Sequence, residues 1–465
     1  MRIALVGTRG VPARYGGFET AVEEVGRRLV QSGHEVVVYC RRGPRGPRGA
    51  RSAQLPTRYL GMELVHLPAV RHKVLETLSH TALSVAHLAH ERRSGRRVDA
   101  AVVFNSANAP VIPVLRRLGI PVATHVDGLE WKRAKWTGLG RRYYRMAESL
   151  AVRWSDALIS DARGIEEYYR EEFRADSEYI AYGAPQLGAT GGDRVAEVGL
   201  TRHGYHLVVA RFEPENHVRM VVEGYAASGA GLPLVVVGSA PYGAAYTARI
   251  EAVATAAGNQ VRLVGPVWDQ ELLDQLYANC LTYVHGHSVG GTNPSLLRAM
   301  GAGAACLAYD VGFNREVLGS AGRWFTTPEQ LARRLRDAEA DVDATVRSGL
   351  DAAREARRYD WDGVAEAYAK LCHTLAVDGQ RTHRPSGRRT GLWTGDEVRG
   401  TLPASAVPAS AVRKVPVGAR PAALTGTRPM RRPKKESATQ EPSPVHARRS
   451  VDAVPVPGRE PASVG

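Results

Sequence analysis

The chain runs to 465 residues, more than one hydrophobic core serves, so two domains and an appendage are expected. The net charge of +15 would suit nucleic acid, an anionic membrane surface or a phosphorylated ligand, but Ala376 to Gly465 alone holds 16 Lys/Arg against 7 Asp/Glu, with 12 of the 27 prolines, so the excess belongs to a tail and no specific nucleic-acid partner is expected. Cys40, Cys280, Cys306 and Cys372 are far apart and form no Cys-x-x-Cys pair, which argues against a disulfide framework and suggests no metal site.

Ile3 to Gly7 is a compact apolar run, too short for a signal peptide, followed by a glycine-rich loop and a helical pattern from Ala21 to Val30. The loop lacks the Gly-x-Gly-x-x-Gly fingerprint and the Lys-Ser/Thr of a P-loop, so a nicotinamide cofactor is not expected. Glu35 to Tyr39 reads as a strand, Arg41 to Arg51 as an exposed basic loop suited to solvent or lipid head groups, Met62 to Leu67 as a strand, and Val74 to Ser94 as a helix carrying leucines among basic residues. Buried parallel strands follow at Ala100 to Phe104 and Pro121 to His125, then a helix from Arg141 to Trp154, a strand from Ala157 to Ser160, a helix from Arg163 to Phe173 and a strand from Glu178 to Ile180.

A Gly/Ala-rich stretch, Gly183 to Gly199, separates a second series, with strands at His206–Val209, Pro233–Val237, Val261–Val264, Leu281–Val284 and Ala304–Tyr309. Pro328 to Arg358 reads as helical and Trp361 to Leu375 as a last amphipathic helix. The domains expected are 1–183, 184–358, a crossover helix at 359–376 and a disordered, basic, proline-rich tail at 377–465. The fold class is α/β: two Rossmann-like doubly wound domains facing a cleft. No uncharged run approaches the roughly 18 residues of a membrane span, so a cytoplasmic protein is expected, with peripheral contact at the inner face of the cell membrane.

One stretch stands out chemically. Tyr283 to Met300 joins a strand to a helix through Gly290, Gly291, Thr292 and Asn293, whose backbone N–H groups would meet an anion, with Asn293 or Thr292 as helix cap and Pro294 in the first turn. A nucleoside diphosphate suits such a loop.

Three stretches then carry a resemblance: Gly7 to Thr20; Val126-Asp-Gly-Leu-Glu-Trp-Lys-Arg-Ala-Lys-Trp136; and Ala210-Arg-Phe-Glu-Pro-Glu-Asn216 together with His285 to Ser295. Over residues 1–376 the chain resembles the family 4 glycosyltransferases of GT-B fold, in their bacterial rhamnosyltransferase-like branch. The resemblance implies a nucleotide sugar in the second domain, an acceptor in the first, and hexosyl transfer with retained configuration and no metal ion. It implies Arg211 as a clamp on the donor diphosphate, with Asn216 where many relatives have lysine. Gly16 and Gly17 would approach the diphosphate from across the cleft, Gly238 would admit the donor, and Val267 and Trp268 lie where relatives bind the base, with core packing the alternative for Trp268. His125 and Asp127 take the family's acceptor-side position: His125 would touch the donor sugar or acceptor hydroxyl, or be a satisfied histidine at a strand end, and Asp127 would orient that hydroxyl or take its proton. Glu130, Lys132, Arg133 and Lys135 would grip a lipid-linked or polysaccharide acceptor, or form a solvated loop.

One departure is plain. The family's paired glutamates, which contact donor sugar and ribose, fall here on Gly290 and Arg298. A guanidinium cannot accept hydrogen bonds from ribose, which favours a dTDP-sugar over a UDP-sugar, or else a degenerate domain that binds without catalysis.

Overall fold

The computed structural model describes residues 1–13, 16–42, 55–70, 75–126, 128–133, 136, 138–188, 190–239, 244–258, 260–381 and 384–390. Its first lobe is a sheet of eight strands: β1 (Arg2–Val6), β2 (Glu35–Arg41), β3 (Arg58–Tyr59), β4 (Met62–Leu67), β5 (Ala100–Phe104), β6 (Val122–His125), β7 (Ala157–Ser160) and β8 (Glu178–Tyr179). They lie in the order β3-β4-β2-β1-β5-β6-β7-β8, parallel except for β3 against β4. The second lobe has β9 (His206–Val209), β10 (Leu234–Val237), β11 (Val261–Gly265), β12 (Thr282–His285), β13 (Ala305–Tyr309) and β14 (Arg323–Phe325), all parallel, in the order β11-β10-β9-β12-β13-β14.

Composition explains the layering. The central strands, such as Arg-Ile-Ala-Leu-Val in β1 and Leu-Val-Val-Val in β10, are buried along their whole length, as strands covered by helices on both faces must be. The flanking helices are one-sided: Gly17–Gln31 buries Ala21, Val22, Val25 and Leu29. Asp269 and Thr327 cap the helices Gln270–Asn279 and Pro328–Ala340 through their side-chain oxygens. The final helix, Trp361–Asp378, packs back on the first lobe, where Arg28 pairs with Asp362 and the indole of Trp361 fills the space beside Gly183. One apolar cluster accordingly runs through both lobes, from Leu5 and Phe104 through Tyr182 and Trp361 to Tyr283 and Met300.

Three local readings change. The helical stretch from Pro328 is two helices, Pro328–Ala340 and Val342–Ala356, because Asp341 turns its side chain to the N–H of Ala344 and starts a new helix. The Gly/Ala-rich connection contains a short helix, Asp193–Glu197.

The third concerns the C-terminal side. The last helix reaches Asp378, and the chain stays engaged through Thr390. Arg384 pairs with the fully buried Asp156 at 3.0 Å, and Arg389 pairs with the buried Glu148, donates to Tyr168 Oη at 2.6 Å and lies 4.8 Å from the ring centroid of Phe173. The basic loop at 43–54 and everything beyond 390 lie outside the described residues. Among those described, no helix is long and apolar enough to cross a membrane.

Candidate active site

In each sheet the chain order reverses direction at one place, between β1 and β5 in the first and between β9 and β12 in the second, and such switch points open a crevice at the carboxyl ends of the strands. The loops after β9 and β12 therefore lie side by side. They are stitched together: Ser288 donates to the carbonyl oxygen of Glu215 through its N–H at 2.9 Å and its hydroxyl at 3.1 Å, and His217 Nδ1 donates to the carbonyl oxygen of Gly286 at 2.7 Å.

The loop after β12 has the form the sequence suggested. Asn293 caps the helix Pro294–Gly301, its Oδ1 accepting from Ser295 N at 3.0 Å, and Pro294 occupies the first turn. The backbone N–H groups of Gly290, Gly291, Thr292 and Asn293 donate to no acceptor among the described residues. Gly291 and Thr292 are buried, Gly290 and Asn293 half-buried, and free N–H groups at the start of a helix suit an anion. His285 and His287 stack within the same turn, centroids 4.4 Å apart. Burial holds both imidazoles neutral, His285 pushed down to about 3, and His287 also feels the positive fields of Arg211 and Arg133.

The first lobe reaches this loop directly. A Cβ at Gly128 would sit 2.7 Å from the Cα of Gly290, a Cβ at Gly291 would collide with the carboxylate of Asp161, and the hydroxyl of Thr292 donates to the carbonyl oxygen of Asp161. On another face Glu316 of the second lobe accepts from the N–H of Arg163, at 3.0 and 3.1 Å, capping the helix Arg163–Phe173 that has no cap of its own. Between the lobes, Arg211 Nη1 lies 3.4 Å from Glu213 Oε1, while Arg133 Nη1 of the first lobe lies 3.8 Å from Glu213 Oε2. Beside them Glu215 is buried, and desolvation followed by the neighbouring Glu213 carboxylate raises its pKa despite Arg133.

Several expected site residues have other engagements. His125 is fully buried among Phe18, Phe104 and Tyr182, neither ring nitrogen has a hydrogen-bond partner among the described residues, and burial pushes it down to about 3. A ring so enclosed is a poor proton acceptor at neutral pH. Asp127 and Lys135 lie outside the described residues.

Glu130 is buried and committed, its Oε2 accepting from Trp136 Nε1 at 3.1 Å and its Oε1 forming an ion pair 2.6 Å from Arg133 Nε, so it braces its own loop. Lys132 is exposed over the Trp131 ring, 5.4 Å from its centroid. Asn216 is buried with its amide donated to the carbonyl oxygen of Arg211, and Gly238 leaves room for the close passage of the Ala210 carbonyl. Val267 is half-buried, and Trp268 is 62% exposed, which corrects the alternative of core packing. Arg298 pairs with Asp274 on the preceding helix instead of standing free for phosphate. Gly16 precedes the first helix with φ 111°, and Gly17 faces Pro294 across the lobes, a Cβ there lying 3.2 Å from Pro294 Cγ.

Glu213, Glu215, Asp161 and His287 were not singled out from the sequence. The repeated acid in Glu213-Pro-Glu215, one residue after an apolar phenylalanine, was the only local signal for the first two.

Residues 200–353 match the family described as glycosyl transferases group 1, and residues 109–185 match a domain of unknown function, DUF1972. No curated protein matches the chain significantly. Among solved structures it is similar to sucrose-phosphate synthase from Thermosynechococcus elongatus, with 20% identity, 81% of this chain and 99% of that one covered, and a TM-score of 0.69. It is also similar to Anabaena Alr3699/HepE in complex with UDP-glucose, with 17% identity, 81% and 100% covered and a TM-score of 0.63. A third likeness is to the E. coli trehalose-6-phosphate protein bound with UDP-2-fluoro glucose, with 10% identity, 80% and 99% covered and a TM-score of 0.58. At these identities the likeness carries the fold, which is GT-B.

Proposed function

We propose that this chain, a glycosyltransferase of the GT-B type, moves a hexosyl group, rhamnosyl in our reading, from a nucleoside diphosphate sugar to a lipid-linked or growing polysaccharide acceptor at the cytosolic face of the membrane. The observation that carries this reading is the set of unpartnered N–H groups at Gly290 to Asn293 beside Arg211, at the switch point of the second sheet. Fixed donors of this kind bind a diphosphate and stabilise the charge that grows on it as the glycosidic bond breaks. Arg211 adds a charge with a planar fork of donors.

The acceptor would enter from the first lobe, past Lys132 and the ends of β5 and β6. Retention of configuration and independence from metal ions belong to the same proposal, on the strength of the family resemblance. For the donor nucleotide we favour dTDP, because residues 290 and 298 supply no carboxylate for a ribose 2′-hydroxyl. The solved relatives that hold UDP-sugars make uridine the alternative.

The test is incubation of the purified chain with dTDP-, UDP- and GDP-hexoses and a lipid-diphosphate sugar acceptor, with and without a chelator, reading product mass and anomeric configuration. Transfer from dTDP-rhamnose with retention is expected. Nucleotide binding without transfer from any donor would favour the non-catalytic reading instead.

A further inference from the structure

Asn216 leaves the loop after β9 one positive charge short, since its amide is spent on the carbonyl oxygen of Arg211. The opposite lobe brings a charge to the same place. Arg211 and Arg133 approach the two oxygens of one carboxylate, Glu213, at 3.4 and 3.8 Å, and both distances exceed those of a well-formed charge-assisted hydrogen bond. Arg133 is held in that position by Glu130, which is itself fixed by the indole N–H of Trp136. Its side chain is only 12% exposed, so it is aimed inward rather than at solvent. The neutral His287, which neighbours the unpartnered N–H groups of the loop after β12, lies within the fields of both guanidinium groups.

We infer that Arg133 is a donor-diphosphate ligand contributed by the first lobe, and that Glu213 occupies the place of the diphosphate between the two arginines until the nucleotide enters. This rests on the nucleotide-sugar reading above and moves Arg133 from the acceptor to the donor. The exchange is chemically even: each guanidinium gives up a long contact to one carboxylate oxygen and gains phosphate oxygens with which its planar fork can pair bidentately. Because Arg133 belongs to the other lobe, a bound diphosphate would also tie the lobes together at that point.

The experiment compares binding of UDP and dTDP with that of UMP and dTMP, by calorimetric titration, for wild type, Arg133→Gln, Arg133→Lys and Glu213→Gln. Arg133→Gln should weaken diphosphate binding roughly ten- to hundredfold, the worth of a charged hydrogen bond, and leave monophosphate binding within about twofold. Arg133→Lys should recover part of the loss, which a folding defect would not allow, and Glu213→Gln should tighten diphosphate binding. Equal diphosphate affinities for wild type and Arg133→Gln, or equal losses for mono- and diphosphate, would overturn the inference while leaving the nucleotide-sugar reading intact. A wild type that binds no nucleoside diphosphate would overturn that reading as well. A change confined to the KM for acceptor would return Arg133 to the acceptor and sink the inference alone.

Discussion

The side chain of Asn216 donates a 2.8 Å hydrogen bond to the carbonyl oxygen of Arg211, five residues earlier, and is almost wholly buried in doing so. The amide fixes the turn that carries Arg211. Asn216→Ala leaves that carbonyl without its donor and should cost about 1–2 kcal/mol in urea unfolding, with weaker UDP binding alongside. Asn216→Lys, although it copies many relatives, would bury an ammonium in place of the amide and should not restore binding.

Arg298 stands where the wider family places an acid, and its partner is Asp274 on the helix before β12. Both side chains are about one-fifth exposed. Arg298→Glu would set two carboxylates against each other and should lower stability by about 1 kcal/mol, screened by salt. The charge-reversed pair Arg298→Glu with Asp274→Arg should recover most of the loss in a double-mutant cycle, and full additivity would show that the two side chains do not interact.

Glu148 is buried, and desolvation pushes its pKa up to about 7 even with Arg389 beside it. A folded pKa above the unfolded one means that folding takes up a proton, so the contribution of Glu148 to stability is complete below about 4.5, falls as pH rises through 7, and is lost beyond. Removing Arg389 takes away a cause that lowers this pKa and extends the fall to higher pH. A chain cut after Ala376 should therefore lose about 3 kcal/mol at pH 8 and less at pH 5, whereas a chain cut after Thr390 should melt like the full-length protein. Equal melting of the two truncations at pH 8 would refute the anchoring role of Arg389.

His125 carries the opposite sign. Its folded pKa lies below its free value of 6.5, so its contribution is complete above that pH and is lost as pH falls towards 3. Its ring should not titrate by NMR between pH 5 and 8. His125→Phe keeps the aromatic contacts with Phe18, Phe104 and Tyr182 and removes two unpartnered nitrogens, so it should change stability by less than about 1.5 kcal/mol. Loss of a kinetic pKa near 6 to 7 in this variant would show that the ring does take part in proton transfer.

How far the sequence foretells this molecule depends on range. The apolar runs at Ala100–Phe104, Ala157–Ser160 and His206–Val209 coincide with strands to the residue, because burial on both faces leaves little other composition, and the half-buried Met62–Leu67 does so as well. Asn293 and Pro294 act at the helix start as local capping chemistry dictates. Edge strands of two or three residues, such as Arg58–Tyr59 and Arg323–Phe325, carry too few side chains to show a period. The arginines at 384 and 389, in a proline-rich context, read as tail because their partners Asp156 and Glu148 lie more than 220 residues away. Shorter separations, still far beyond any local pattern, conceal the meeting of Arg133 with Glu213, of Thr292 with Asp161, and of Arg163 with Glu316.

Gly128 and Gly290 face one another with no side chain between them. Main-chain atoms alone thus set how near the loop after β6 comes to the loop after β12. A single methyl group at position 128 would act as a shim, pressing on the backbone of Gly290 and holding the crevice ajar without removing any side chain from it. The reach of Arg133 towards its partner, already long at 3.8 Å, is the dimension that such a shim would lengthen first.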